Sequence, residues 1–566
     1  MTPPGFPIRP GFPDPEASMS LSSVLTRTLT AAGAGLLVLS PLDAALGATG
    51  APGGTTWVTH PLPPAPGTGL TRNEDGEPGV GVTPTGQFWT ASDIAPYAAH
   101  DPRVDPAAGL LSGADIWTST DGGRTYKWIT DPFAAASNTA GLAGEDTDLA
   151  VAPEKNSKGF YTVYAASLWI GSTSLAWSDD GGKTWTVNPL GGVPAQDRPW
   201  LAADGPCTVY VVYHQLPLFT PTVSAYNVCS NGNVPVTNGA ALDPVNHTAL
   251  TSSDFPGLSN SFNKQAVDTA PLSKYRHHIY IPMSLCQVQS PIVPDLLNNV
   301  SASSGCPTGT QYLVAVSSDN GQTFTYHPVV LDPSGATLVW AATVATDAAG
   351  NAYFTWSDNK NSYLDASTDG GSTWSKPKRL NPAGTAAVYP TVAAGKAGRV
   401  DVAWYGTYRS GNSNDAKVMG KPSVKGGAQW KVYLDRSNDG GKSFGAVRTV
   451  SDTIHLGVLC TSGGGCAGDG SRNLLDDFGL TISPTTGLDS VIFTDDQPQG
   501  QAGTTFTAYA SEVLAVKVTR HPHRIGAGGG TTGGLAATGG DLLLPIAGFG
   551  AIGAALLLRR RLQPSS

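Results

Sequence analysis

The stretch "STDGGRTYKW", Ser119 to Trp128, decides how this chain is read, because the chain repeats it. It returns as "SDDGGKTW" from Ser178, "SSDNGQTF" from Ser317, "STDGGSTW" from Ser367 and "SNDGGKSF" from Ser437. Serine and aspartate side chains accept hydrogen bonds from nearby backbone amides, glycine takes a positive φ without penalty, and the closing aromatic needs a surface to bury against. Such a turn closes a hairpin, and its return along 566 residues indicates one repeated unit rather than several unrelated domains.

A second repeat runs between the copies: an apolar strand, a turn at Pro, Asp or Gly, and an aromatic-rich strand. "GVGVTPTGQFWTASD", "PWLAADGPCTVYVVYHQ" and "ATVATDAAGNAYFTWSD" are three of seven examples. Their turns fall at Pro84, Pro153, Asp204, Asp268, Asp347, Gly395 and Pro484, roughly 50 to 90 residues apart, room for four short strands and their loops. The reading is an all-β, seven-bladed β-propeller, with six blades as the alternative. "TTWVTH" from Thr55 is expected to pair with the last blade near "TTFTAYASEVLAVKV" and so remove the open edge of the ring.

The recurring turn resembles the Asp box of the sialidase-like, or BNR-repeat, superfamily, over residues 55 to 520. The resemblance implies that Asp121, Asp180, Asp319, Asp369 and Asp439 are structural and lie at the periphery, away from any active site. Blades three and seven carry no copy, and a disulfide from Cys207 is expected to stiffen blade three instead. Six cysteines leave fifteen connectivities open. Pairing neighbours, Cys207 with Cys229, Cys286 with Cys306 and Cys460 with Cys466, keeps each bridge inside one repeat and suits an oxidising compartment.

Both termini carry addresses. Arg27 precedes "LTAAGAGLLVLSPLDAALG", which has the charge, apolar core and small-residue exit of a secretory signal, expected over residues 1 to 48. At the other end a Gly-rich spacer, residues 521 to 534, leads to "LAATG", then an uncharged stretch from Leu542 to Leu558, then Arg559, Arg560 and Arg561. That stretch is long enough to reach across a bilayer core, with the arginines holding its end in the cytoplasm. Residues 535 to 566 resemble a Gram-positive sortase signal, with Ala536 in place of the usual proline. The resemblance implies cleavage between Thr538 and Gly539, sortase as a partner, and a cell-wall or cell-surface location.

A net charge of -9 and a pI near 5.5 offer no footprint for nucleic acid. No phosphate-binding glycine loop, nucleophile elbow or HExxH stands in the sequence, and His277, His278 and the "HPH" at His521 read as strand or linker histidines. In propellers, ligands meet the mouth of the central channel, where the innermost strands begin. Seven residues before each turn stand Glu77, Asp146, Asp197, Ser261, Trp340, Val388 and Asp477. The acids Glu77, Asp146, Asp197 and Asp477 fall on consecutive blades and are the candidate catalytic residues, while Trp340 and Tyr389 on the facing arc and Arg198 beside Asp197 are the candidate ligand contacts. Carboxylates opposite aromatics suit a sugar, whose hydroxyls donate and whose apolar face stacks. The same acids can cap strand ends, hold calcium, or raise one pKa into general-acid range. No other cofactor and no metal site is expected.

True sialidases use three arginines, a Tyr-Glu nucleophile pair and an Asp acid/base, and their first blade opens with Arg-Ile-Pro. Here that place reads "EPGV", Glu77 to Val80, so the arginine is missing and the family's catalytic set is not carried over. The expectation is an exported surface propeller that binds extracellular glycan or a surface protein. An active exo-glycosidase using two of the four acids, with Arg198 holding substrate, and an adhesin scaffold are the alternatives.

Overall fold

A computed structural model describes residues 55–94, 100–104, 113–134, 145–169, 172–189, 196–215, 220–231, 237–241, 258–287, 309–335, 342–422, 425–462, 466, 469–476, 478–497 and 505–514. They form seven antiparallel sheets of four strands, with an additional short strand in two of them. Blade one is Gly76–Val82, Phe88–Asp93, Ala114–Ser119 and Lys127–Thr130, and blades two and three follow with Glu145–Lys155 and Gln196–Asp204 as first strands. Blade four opens with two short pieces, Leu258–Phe262 and Ala266–Val267, which share the partner Ile279–Gln287. Ala342–Thr346, Ala386–Ala394 and Gly479–Ile482 open blades five to seven. Each first strand contacts the first strand of the next blade, and the seventh returns to the first, so the ring is closed and has seven blades rather than six. All seven sequence-derived turns sit at or beside the hairpin between first and second strands.

Closure joins the two ends of the described chain. Thr55–Pro61 pairs antiparallel with Phe506–Leu514 from Thr55 opposite Leu514 to Pro61 opposite Ala508, and is the fourth strand of blade seven. Blade seven therefore has no third-to-fourth turn, which is why no copy of the repeat occurs there. In blade three the corresponding connection is the helical turn Val228–Asn231, tied by Cys207–Cys229 to the inner hairpin, with Val228 N donating to the Cys207 carbonyl at 3.0 Å. Cys460–Cys466 also forms, whereas the expected Cys286–Cys306 bridge lies outside the described residues. The leader, spacer, sorting motif with Thr538 and Gly539, and apolar C-terminal stretch lie outside them too. Among the described residues no helix is long and apolar enough to cross a membrane.

The inner strands are buried on both faces because blades stack face to face: Phe88–Asp93, Ala352–Ser357 and Val400–Thr407 are buried throughout. The outermost strands are more exposed, as in Lys378–Arg379. Two glycines let blades approach each other near the axis. A Cβ on Gly79 would lie 2.5 Å from Leu149 N, and one on Gly479 2.4 Å from Val80 Cγ1.

All five Ser-x-Asp turns join third to fourth strands, at the end of the blade opposite the start of the first strand. In "STDGG" of blade one, Ser119 Oγ donates to Asp121 Oδ1 at 2.8 Å and accepts from Gly123 N at 3.0 Å. Asp121 also accepts from Thr125 N and Thr125 Oγ1 at 3.0 and 2.6 Å. The pattern repeats around Asp180, Asp319, Asp369 and Asp439. These bonds outweigh the modest burial and hold the Asp180 and Asp369 carboxyls down at about 2. Each closing aromatic enters a gap between blades, as Tyr126 does against Tyr509 at 4.6 Å.

Blades six and seven share a buried ionic lattice. Arg436 reaches Asp401 at 3.1 Å, Asp489 at 2.6 Å and Glu512 at 2.7 Å, while Arg399 bonds Asp401 and Asp489 and Arg448 bonds Glu512. Three guanidinium groups thus meet three buried carboxylates across the seam where the ring closes.

Candidate ligand site at the channel mouth

Close to where the first strands begin, four of them break register at one level. The breaks lie between Gly76 and Gly79, Glu145 and Asp148, Asp197 and Trp200, and Val388 and Thr391. At each break a non-glycine residue takes a positive φ: Glu77 at 48°, Asp146 at 30°, Arg198 at 59° and Tyr389 at 52°. Three of them precede proline (Pro78, Pro199, Pro390), which gives no ladder donor. A bulge re-aims a side chain, and left-handed backbone at a bulky residue costs about 1–3 kcal/mol unless its surroundings hold it. Four such positions around one axis mark a built rim.

The structure corrects the alignment made from sequence. In blades one and two the rim residues are those expected, Glu77 and Asp146. In blades three and six the rim is one residue later, so Arg198 and Tyr389, not Asp197 and Val388, match them; the bulge absorbs a residue that spacing alone counts as strand. The Asp197 side chain, Trp340 and Asp477 lie outside what the structure describes.

Behind the rim is an axial cavity of about 110 Å³, lined by Gly79, Asp148, Lys264, Gln265, Tyr389 and Asp476 among others. Lys264 lies where the first strand of blade four is interrupted. Its Nζ reaches over blade three to donate to Asp148 Oδ1 at 2.5 Å and the Leu149 carbonyl at 2.9 Å. Asp148 also accepts from Leu201 N at 2.8 Å, yet burial keeps its carboxyl above the ordinary range. Gln265 donates from Nε2 to the carbonyls of Trp200 and Tyr210 at 2.7 and 3.1 Å. Asp476 accepts from Arg472 Nη2. Gln265 Oε1 and Asp476 Oδ1 are buried acceptors with no partner among the described residues.

Tyr389 stands between these groups. Its ring packs edge-on to Tyr405 at 6.2 Å, which stacks on Phe478 at 4.4 Å, and its hydroxyl donates to the Cys460 carbonyl at 3.3 Å. Cys460 belongs to the disulfide-closed loop and donates its own N–H to the Ser471 carbonyl at 2.8 Å. Burial first, then the negative charge of Asp476, drives the phenol well above its ordinary pKa; Arg472 opposes this and Glu77 adds to it. Tyr389 is thus a hydrogen-bond donor at neutral pH, not a nucleophile in this state.

Beside the rim, blade one buries more acid than its cations balance. Arg103 bridges Asp101 and Asp115 at 2.6 and 2.7 Å. Burial and Asp115 push Asp75 well above the carboxylate range, and burial and Asp115 push Asp131 up to about 7. His100 bonds through Nδ1 to buried Glu74 at 2.9 Å. Among the described residues no group of three or more His, Cys, Asp or Glu is placed to hold a metal ion. Sequence reasoning missed Asp148, Lys264, Gln265, Arg472 and Asp476. Asp148 and Asp476 stand within two residues of the candidates Asp146 and Asp477, so the acid-rich segments "EDTD" and "LLDD" were the available signal; Lys264 and Gln265 had none.

No protein-family model matches the sequence, and no curated protein matches it. Solved structures do. The Hadza microbial sialidase Hz136 is 13% identical with a TM-score of 0.36 over 77% of this chain, and this chain covers 65% of that one. An α-L-arabinanase of Penicillium chrysogenum, complexed with arabinobiose, is 13% identical with a TM-score of 0.38 over 62% of this chain and 94% of its own. The α-L-arabinofuranosidase Arb93A of Fusarium graminearum is 10% identical with a TM-score of 0.40 over 82% of this chain and 98% of its own. At these identities the likeness is one of fold alone.

Proposed function

We propose that this chain is an exported, surface-anchored propeller of the Asp-box type whose channel mouth binds extracellular glycan. The observation that carries the reading is an axial cavity lined by polar side chains, Asp148, Lys264, Gln265, Tyr389 and Asp476, behind a level at which Glu77, Asp146, Arg198 and Tyr389 take a positive φ. Hydroxyl-rich ligands both donate and accept, and so match a cavity that mixes carboxylates, an amide, a phenol and an ammonium. The two disulfides accord with an oxidising compartment and so with the export and sortase signals at the termini.

Catalysis is the second reading, favoured by the acids on the rim: Glu77 and Asp146 on neighbouring blades offer two carboxyl groups for glycosidic cleavage. Binding of the full chain to a glycan array, with hydrolysis of a panel of chromogenic glycosides alongside, tests both. Glycan binding without turnover supports a binding module, and turnover abolished by Glu77→Gln with Asp146→Asn supports a hydrolase. A folded protein that ignores every sugar and captures surface proteins defeats the glycan reading and leaves the adhesin scaffold.

A further inference from the structure

We infer that blades five and six carry a docking surface for an acidic polysaccharide, outside the ring of first strands and independent of what the axial cavity binds. From Ala342 to Thr449 these two blades hold 14 Lys and Arg against eight Asp and no Glu, a net +6, while the rest of the chain holds 20 against 35. Asp347, Asp365, Asp401 and Asp435 are buried. Asp369 and Asp439 are bonded within Ser-x-Asp turns, and Asp358 and Asp415 accept from backbone N–H groups of their own loops. Of the cations, Arg399, Arg436 and Arg448 belong to the ionic lattice, and most of the others are exposed.

The exposed cations gather at two places. At the mouth end, the loops between second and third strands bring Lys360 of blade five beside Arg409, Lys417, Lys421 and Lys425 of blade six. Ser413 N donates to the Asn359 carbonyl at 2.9 Å, and Arg409 donates to the carbonyls of Val418, at 3.0 Å, and Gly426. At the outer edge, Lys376 and Lys378 of blade five meet Lys442 of blade six, with Lys378 Nζ donating to the Lys442 carbonyl at 3.3 Å across the gap between blades. The third strand of blade six, Gln429–Ser437, runs between the two places and carries half-buried Lys431; its nine residues span about 30 Å at roughly 3.4 Å each. None of these cations has a carboxylate partner among the described residues, whereas Lys158 pairs with Asp179 and Arg276 with Glu154. Crowded like charges attract anions, and a polymer bearing acids at intervals engages both clusters at once, which a small anion does not. Tyr408 favours a sugar polymer over a phosphate polymer. It is 77% exposed, next in the chain to Arg409, and fixed edge-on to Tyr433 at 6.0 Å, so it offers the apolar face of a sugar ring a platform among the cations.

The test is fluorescence anisotropy of labelled polygalacturonate with the full chain, beside neutral galactan, polyphosphate and single-stranded DNA. Polygalacturonate is expected to bind at low ionic strength and to weaken at least about tenfold at physiological ionic strength. Two triple variants change exposed side chains alone: Lys417→Gln with Lys421→Gln and Lys425→Gln, and Lys376→Gln with Lys378→Gln and Lys442→Gln. Each is expected to weaken binding at least about tenfold with the thermal midpoint unchanged. Tyr408→Ala is expected to weaken polygalacturonate by about threefold and to leave polyphosphate unaffected. No binding of polygalacturonate at low salt, no preference for it over galactan, or binding that both triple variants leave intact overturns the inference. Polyphosphate or DNA that binds more tightly than polygalacturonate, with Tyr408→Ala without effect, makes the surface a general anion site and overturns the assignment to a polysaccharide. Sugar binding in the axial cavity is expected to survive both triple variants, so the two sites fail or stand separately.

Discussion

Replacing Glu512 by Gln should loosen the ring where it closes. Glu512 lies opposite Trp57 on the closing strand and is 1% exposed. Its Oε1 accepts from Thr55 Oγ1 at 2.6 Å and Arg448 Nη1 at 3.0 Å, and its Oε2 from Arg436 Nη2 at 2.7 Å. A bond to a charged group contributes about 1.5–3 kcal/mol, and breaking a buried pair costs about 3–5 kcal/mol. Two facts lower that figure. Arg436 keeps Asp489 and Asp401, and Arg448, 29% exposed, can turn to water. With glutamine still accepting at one oxygen, the expected loss is about 2–3 kcal/mol. Despite burial, the bonds from Thr55 and Arg436 hold the Glu512 carboxyl below its ordinary value. Its contribution is therefore present above the unfolded pKa and disappears as pH falls through the folded one, so variant and wild type should converge in acid. Urea unfolding at pH 7 and pH 3 measures the stability difference, and limited proteolysis reports whether Thr55–Pro61 detaches first. A loss below about 0.5 kcal/mol at pH 7, with proteolysis unchanged, would refute the idea that this lattice fastens the ring.

Three further outcomes follow from named contacts. Asp365 is fully buried, with Oδ1 lacking a partner among the described residues and Oδ2 accepting from Trp356 Nε1 at 2.8 Å, and burial pushes its carboxyl up to about 7. Because the folded pKa is raised, the folded state is penalised as pH climbs from about 4 to about 7, so Asp365→Asn should stabilise at pH 8 by up to about 4 kcal/mol and do little at pH 4; a pH-independent difference in urea midpoint would contradict this. Asp180 and Asp369, held at about 2, should lose their turn-stabilising contribution only between about pH 4 and pH 2, seen as a midpoint drop that Asp369→Asn reduces. Gly79→Ala places a methyl group 2.5 Å from Leu149 N and 2.7 Å from Asp148 Oδ1, so it should force blades one and two apart, lower the thermal midpoint and abolish sugar binding; an unperturbed variant would show that the close approach is not needed.

The path from sequence to site narrows at a definite point. The Ser-x-Asp turns were legible because each is made of neighbours: Ser119, Asp121, Gly123 and Thr125 satisfy one another whatever the rest of the chain does. The rim was half legible. Glu77 and Asp146 fell where equal spacing put them, but in blades three and six the bulge shifted the apex to Arg198 and Tyr389, and a bulge is a tertiary accommodation that leaves no periodic mark. Lys264 and Gln265 were illegible, since nothing about an interrupted strand in blade four says that its lysine will reach over a neighbouring blade to Asp148.

By itself the sequence determined the repeat, its hairpins and the strand that closes the ring, because strand alternation and turn chemistry are encoded by residues close together in the chain; neighbour pairing of cysteines was an expectation that two bridges bear out. Only the tertiary structure decided for the seven blades read from the repeats against the alternative of six, which residues stand at the bulges, which cations are bonded to carboxylates, and that Tyr389 shares a cavity with Asp476 and feels the charge of Glu77. Those outcomes depend on groups far apart in the chain that meet only when the ring shuts. Their bonds, burial and pKa shifts belong to the closed propeller and exist in no segment of it alone.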